Sequence, residues 1–253
     1  MRSQTDLSVI LAPGGDAAEA EALAGKLGVS LAIGEVADVL PEGGVALVFC
    51  ADGVVLTDGS MNIAGDFSKL APRCTPSNLS SEMLVRAVKI KGLDRPAEVI
   101  DATAGLGEDS FLLAAAGCRV RMFEYDPVIS ALLSDALRRA KNDPGLSAIA
   151  SRMELVCADS TEALPEISPA PDVVLLDPMF PERQKSGLVK KKFQLIHRIE
   201  APCDAEEKLL LAAKAAHPRK IVIKRPAKGG LLANAKPSYS LSGKAIRYDV
   251  LVL

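Results

Sequence analysis

The chain predicts an α/β fold. A mostly parallel sheet is covered on both faces by helices, an antiparallel hairpin closes one edge at the C-terminus, and a small α/β annex precedes it. Three observations predict this. From residue 98 onward, short apolar runs alternate with helix-length stretches, the signature of βαβ units. The segment from Tyr239 to Leu253 holds two apolar runs with no room for a crossover helix between them, so they pair as a hairpin. Residues 1 to about 75 carry Gly-bounded apolar runs of a different rhythm, cut off by a Pro/Ser/Asn cluster.

Taken in order, Leu7 to Ala12, Val45 to Cys50 and Val54 to Leu56 predict strands in the annex. Asp16 to Leu27 places Ala, Glu and Leu at helical spacing. The break from Ala71 to Ser81 ends in N-capping residues and opens a helix over Glu82 to Ile90, stopped by Gly92. Strands are then predicted at 98–101, 120–124, 153–157, 172–177 and 220–224, with helices at 109–116, 127–141, 161–167 and 205–216. The expected division is an annex over 1–75 and a main domain over 76–253.

Composition narrows the chemistry. The chain has 253 residues, 49% hydrophobic and only 4% aromatic, so aliphatic side chains must fill the core. Its two histidines, His197 and His217, leave a His-based hydrolase two candidates at most. Five cysteines at irregular spacing form no CxxC pair, which argues against a closed zinc site and against a disulfide framework, and so for a reducing compartment. The apolar run Leu7 to Ala12 is six residues, too short for a signal-peptide core or a membrane span. A cytoplasmic protein without metal is the expectation.

In an open α/β sheet, ligands bind beyond the carboxyl ends of the strands. Here Asp101, Glu124, Asp159 and Asp177 each fall at or just past a strand end. Any one of them could simply start a turn or cap a helix. Four on one rim suggest a ligand. The first βα turn, Asp101-Ala-Thr-Ala-Gly105-Leu-Gly107-Glu108-Asp109, has two glycines for a tight turn, but Ser110 stands where a dinucleotide fingerprint would have its third. A pyrophosphate would be repelled by Asp101, Glu108 and Asp109, whereas S-adenosylmethionine, with its sulfonium and ammonium, would not. Glu108 and Asp109 also suit the start of a helix without any ligand. Glu124 lies 23 residues after Asp101, where an acid accepts both hydroxyls of a ribose. Tyr125 can lie against an adenine, and Asp159-Ser160 suits its amino group.

The fourth strand runs into Asp177-Pro-Met-Phe180-Pro181. An acid, a proline and an aromatic at this spacing resemble the Asp/Asn-Pro-Pro-Tyr/Phe motif of methyltransferases acting on exocyclic amines of bases. The lone pair of such an amine is delocalised into the ring. A carboxylate and a rigid carbonyl that accept its N–H bonds return the pair to nitrogen, and Phe180 can stack on the base.

Together with Gly117-Cys-Arg-Val-Arg-Met-Phe-Glu124, Gln184-Lys-Ser, Leu188-Val-Lys-Lys and Val222-Ile-Lys-Arg-Pro226, these segments resemble the small-subunit ribosomal RNA guanine-N2 methyltransferase J family over about 155 residues. The resemblance implies a class I, Rossmann-like methyltransferase fold, S-adenosylmethionine as donor and a guanine of 16S rRNA, free or in the small subunit, as acceptor. It places Glu108, Asp109, Glu124, Tyr125, Asp159, Ser160 and Asp177 at the donor. The chain departs from the family before the main domain, where Ala71 to Ser81 holds a single arginine, Arg73, in place of an Arg/Gly-rich stretch.

A formal charge of −2 conceals a partition. Residues 1–182 hold 14 basic and 27 acidic side chains, while residues 183–248 hold 16 basic and 4 acidic. Arg183, Lys185, Lys190, Lys191 and Lys192 follow the Asp177 turn directly, and Lys224 and Arg225 end the fifth strand of the main sheet. Basic runs are often only solvated faces, but beside a base-modifying turn these read as phosphate contacts. The alternatives are a methyltransferase for another base or a small-molecule amine, a nicotinamide oxidoreductase, and an rRNA-binding assembly factor without turnover.

Overall fold

The computed structural model describes residues 7–178 and 206–253. Two compact units are distinguishable among them: 7–65 with 126–139, and 66–125 with 140–178 and 206–253.

In the first unit, β1 (Leu7–Leu11) pairs in parallel with β2 (Leu31–Ile33) and β3 (Val45–Cys50); β4 (Gly53–Thr57) and β5 (Asn62–Ile63) continue the sheet antiparallel, in the order β2-β1-β3-β4-β5. Helix α1 (Ala17–Leu27) starts where Asp16 accepts a hydrogen bond from the Glu19 N–H at 3.0 Å and stops at Gly28 in the left-handed region. A single turn of helix, α2 (Val36–Val39), follows β2. One face of the sheet buries Ile10, Ala12, Ala46 and Val48 beneath Val36, Val39 and Leu40.

The second unit opens with a 3₁₀ segment over Phe67–Cys74, then α3 (Pro76–Ser81) and α4 (Met83–Val88). The helix predicted over 82–90 is α4, two residues shorter at its end, while the stretch 71–81 predicted as a break itself holds the end of the 3₁₀ segment and α3. Thr75 caps α3 with Pro76 at its first position, and Glu82, in extended conformation, separates it from α4. Phe67 stacks on Phe111 with ring centroids 4.6 Å apart, which ties the 3₁₀ segment to this unit.

Its sheet has seven strands in the order β11-β12-β10-β9-β6-β7-β8. These are β6 (Glu98–Asp101), β7 (Arg119–Phe123), β8 (Met153–Val156), β9 (Val173–Leu176), β10 (Lys220–Pro226), β11 (Tyr239–Ser242) and β12 (Ile246–Val252). Strands β6 to β10 are parallel, and β12 runs antiparallel to both β10 and β11. All four residues of β9 are buried, as a central parallel strand requires. The helices in this unit include α5 (Glu108–Ala115), α7 (Ser147–Ala150), α8 (Ser160–Ala163) and α9 (Glu206–Ala215). Helix α6 (Pro127–Asn142) follows β7. The stretch predicted as one helix at 161–167 is a turn of α8 continued as 3₁₀ over Leu164–Glu166. Core packing is aliphatic: Ile100, Val174, Leu176, Ile221 and Ile223 meet Leu209, Leu210 and Ala213 of α9.

Strand order reverses at β6, which has β7 on one side and β9 on the other. The connections from β6 and β9 therefore leave in opposite directions, and a crevice opens beyond their carboxyl ends.

Candidate active site

At the end of β6, Asp101 is 2% exposed. Its Oδ2 accepts from the Ser110 hydroxyl at 2.6 Å and its Oδ1 from the Thr103 N–H at 3.2 Å. Burial pushes this carboxyl up to about 7, with Asp109 and Asp177 adding to the rise and the two hydrogen bonds opposing it. The turn that follows needs its glycines: Gly105 and Gly107 adopt φ of 54° and 74°. A Cβ built on Gly105 would meet no protein atom within 4 Å, so the turn faces open space. Glu108 and Asp109 form the first turn of α5, with Glu108 exposed and Asp109 partly buried.

The end of β7 supports that turn. Glu124, 6% exposed, accepts from the Gly105 N–H through Oε2 at 2.9 Å, and the Ala104 N–H donates to the Phe123 carbonyl at 3.0 Å. Tyr125 beside it is exposed. Beyond β8, Asp159 caps α8, with Oδ1 accepting from the backbone and hydroxyl of Thr161 at 2.8 and 2.7 Å. Ser160 is buried.

Asp177 follows β9. Its backbone N–H donates to the Thr103 hydroxyl at 2.7 Å, which anchors this strand end to the turn after β6. Its Oδ2 lies 2.8 Å from Lys224 Nζ, and that ammonium is also 2.6 Å from Asp109 Oδ2. Burial raises the Asp177 carboxyl above the ordinary range, against the pull of Lys224. Burial works against the Lys224 ammonium, but the charges of Asp177 and Asp109 outweigh it and hold Lys224 above its usual value. Tyr248, buried opposite Lys224 on β12, has its phenol pushed up first by burial and then by Asp109.

Two of the basic residues read as phosphate contacts stand elsewhere. Lys224 is held inside the carboxylate cluster rather than at an open surface. Arg225 is 5% exposed and donates to Glu206 Oε1 at 3.1 Å and to the Gly230 carbonyl at 2.9 Å. The cause is strand alternation: neighbours on β10 point to opposite faces, and protein carboxylates take the cationic head group on each. Phe180, Arg183, Lys185, Lys190, Lys191 and Lys192 lie outside the described residues. Thr103, Ser110 and Tyr248 complete the cluster and were not anticipated. Only Ser110 carried a signal, as the residue in the place of a third glycine.

The arrangement is a rim of carboxylates around an open glycine turn, suited to a ligand with positive charge. Residues 41–253 match the family model described as "Putative SAM-dependent methyltransferase". Along nearly its whole length the chain is 42% identical to the ribosomal RNA small subunit methyltransferase J of Thioalkalivibrio sulfidiphilus, over 99% of each chain. The chain belongs to the ribosomal RNA small subunit methyltransferase J family. Its similarity to the J methyltransferase of Cellvibrio japonicus is 38% over 91% of each chain. A solved SAM-dependent methyltransferase from Neisseria gonorrhoeae superposes with a TM-score of 0.74 at 31% identity, covering 97% of this chain and 96% of that one. The expected class I methyltransferase fold is thereby borne out, and S-adenosylmethionine is the donor of the family.

The residues present fit that donor. Gly105 leaves its approach open, and the surrounding side chains offer acceptors to hydroxyl and ammonium groups. When bound, the donor supplies an electrophilic methyl on a sulfonium. Among the described residues, no helix is long and apolar enough to cross a membrane.

Proposed function

We propose that this chain transfers the methyl of S-adenosylmethionine to the exocyclic N2 amine of a guanine in 16S rRNA, free or within the small ribosomal subunit, in the cytoplasm. The observation that carries this reading is the setting of Asp177. Its backbone is anchored by Thr103 and its Oδ2 by Lys224, which leaves Oδ1 without a hydrogen bond among the described residues. A carboxylate fixed in this way can accept an amine N–H and orient the lone pair toward the methyl. The amine nitrogen forms its bond to carbon as the carbon–sulfur bond breaks, the electron pair staying on sulfur. A proton then leaves the nitrogen for Asp177 or water.

In this reading Glu124 accepts the ribose hydroxyls, Tyr125 lies on the adenine, and Asp159 with Ser160 faces its amino group. Asp101, Glu108 and Asp109 give the cationic end of the donor its counter-charge beside Gly105 and Gly107, and Phe180 stacks on the guanine. A guanine within a helix is flipped out first. Phosphates meet the basic stretch at 183–192 and two exposed lysines at the rim, Lys228 and Lys244. Ala227 N–H donates to the Ala245 carbonyl at 2.9 Å, so the segments bearing these lysines adjoin at the carboxyl end of β10.

Labelled methyl transfer to 16S rRNA from cells lacking this gene, followed by mapping of the modified base, tests the proposal. Wild-type protein is expected to label one guanine, and Asp177→Ala to abolish transfer while retaining part of the donor binding. Full turnover by Asp177→Ala would overturn the role.

A further inference from the structure

We propose that Lys224 is a positioning residue for the methyl transfer: its ammonium holds Asp177 ionised and turned toward the acceptor amine. The inference rests on the role given to Asp177 above. Its basis is geometry. One ammonium bridges Oδ2 of Asp177 at 2.8 Å and Oδ2 of Asp109 at 2.6 Å, between two elements far apart in sequence, β10 and α5. Both contacts fall within charge-assisted hydrogen-bond distance, and the Lys224 side chain is only 24% exposed. Such an ammonium is too enclosed to serve phosphates, yet it sits on Asp177, the residue directly after β9.

Without it the site would hold several carboxylates in a partly dry crevice. Asp177 is faced by Lys224 from β10, by Asp109 from α5 and by Asp101 from β6, and feels the charge of Arg225 from the other face of β10. Tyr248 on β12 faces Lys224, and Arg73, ion-paired to Glu82, faces Asp109. Arg225 spends its guanidinium on Glu206 and Gly230. Among the described residues, Lys224 is the cation in direct contact with Asp177. A protonated Asp177 keeps only a neutral, weaker acceptor, cannot take up the amine proton, and as a donor would tie up the nitrogen lone pair, so the transfer rate falls as the proton goes on.

The test is the pH dependence of single-turnover methyl transfer to 16S rRNA at saturating donor, in the full chain. In Lys224→Met the acid limb moves to higher pH by about one unit or more, with a roughly tenfold loss on the acid side of both limbs that vanishes on their alkaline side. Lys224→Arg keeps the charge and leaves the limb near that of wild type. Asp109→Asn removes a like charge from beside Asp177 and moves the limb to lower pH, and it keeps the proposal testable should Lys224→Met not fold. Limbs that coincide in all the folded variants would overturn the proposal. So would a Lys224→Met that raises only KM for rRNA, which would make Lys224 a phosphate contact. Absence of rRNA methylation by the wild-type protein would instead sink the functional reading itself.

Discussion

Glu124, at the end of β7, accepts a hydrogen bond through Oε2 from the backbone N–H of Gly105 at 2.9 Å, so the second strand of the main sheet holds the turn that follows the first. The carboxylate braces the turn, and in the proposed reading it also offers acceptors to a ribose. Glu124→Gln keeps an acceptor but loses the charge. Hydrogen bonds to charged groups contribute roughly 1.5–3 kcal/mol, so donor affinity is expected to fall about tenfold to a hundredfold. Calorimetric titration with S-adenosylmethionine measures it. An unchanged dissociation constant would remove Glu124 from the site.

Gly105 separates backbone strain from ligand contact. Its φ of 54° costs a non-glycine residue about 1–2 kcal/mol, while a Cβ there meets open space within the protein. Gly105→Ala is thus expected to lower stability by that modest amount and to weaken donor binding more than tenfold, because the methyl fills the approach. Gly117→Ala is the control: it also has positive φ and open space at its Cβ, but it lies past the far end of α5. It should melt earlier and bind the donor normally.

Asp101 makes stability depend on pH. Its carboxyl is raised to about 7 in the fold by burial, against an unfolded value near 3.8. Between these values the native state holds a proton that the unfolded chain has released. Stability therefore falls as pH rises from about 4 to 7, and the loss is complete above 7. Three units correspond to about 4 kcal/mol as an upper bound. Asp101→Asn is expected to melt higher than wild type at pH 8, to flatten the pH dependence of urea midpoints, and to bind the cationic donor more weakly.

These residues also show how far the sequence could be read. Strands β9 and β10 were legible as continuous apolar runs and β7 as an alternation of exposed arginines with buried Val120 and Met122, and the strand ends marked the rim that carries Asp101, Glu124 and Asp177. Strands β2 and β5 were not, since three and two residues form strands only because β1 and β4 offer edges to pair with. The Thr75-Pro76 start of α3 was present in the sequence, but the serines at 80 and 81 offered a competing cap. Lys224 and Arg225 looked alike as neighbouring cations. Period-two alternation sends them to opposite faces, but only the packed structure supplies Asp177 on one face and Glu206 on the other.

RNA affinity has its own test at Lys228 and Lys244. The loop carrying Lys228 is fixed by Arg247, whose Nη1 donates to the carbonyls of Pro226, Ala227 and Gly229 at 3.1, 3.2 and 2.8 Å. Lys228 is therefore held by ordered backbone, and Lys244 follows Gly243, whose N–H donates to the Ile246 carbonyl at 2.8 Å. Replacing both by Ala is expected to weaken rRNA binding irrespective of sequence and to reduce the salt slope by up to about 2, near one per phosphate contact. Filter binding across a salt series reads the slope. A slope equal to that of wild type would clear both lysines of phosphate contact.

Arg225 and Glu206 are expected to act as one structural unit. The arginine side chain is 6% exposed and that of Glu206 32%, and Glu206 Oε2 also accepts from the Ala233 N–H at 3.0 Å. Breaking a buried pair from one side costs about 3–5 kcal/mol, and partial exposure of Glu206 reduces this to roughly 2–3 kcal/mol. Glu206→Gln and Arg225→Met should each lose stability of that order in urea titrations. The double variant should lose little more than either single one, because the second substitution removes a partner already stranded. If Arg225→Met instead unfolds like wild type and binds rRNA poorly, the guanidinium reaches phosphate and the pairing with Glu206 gives way when RNA binds.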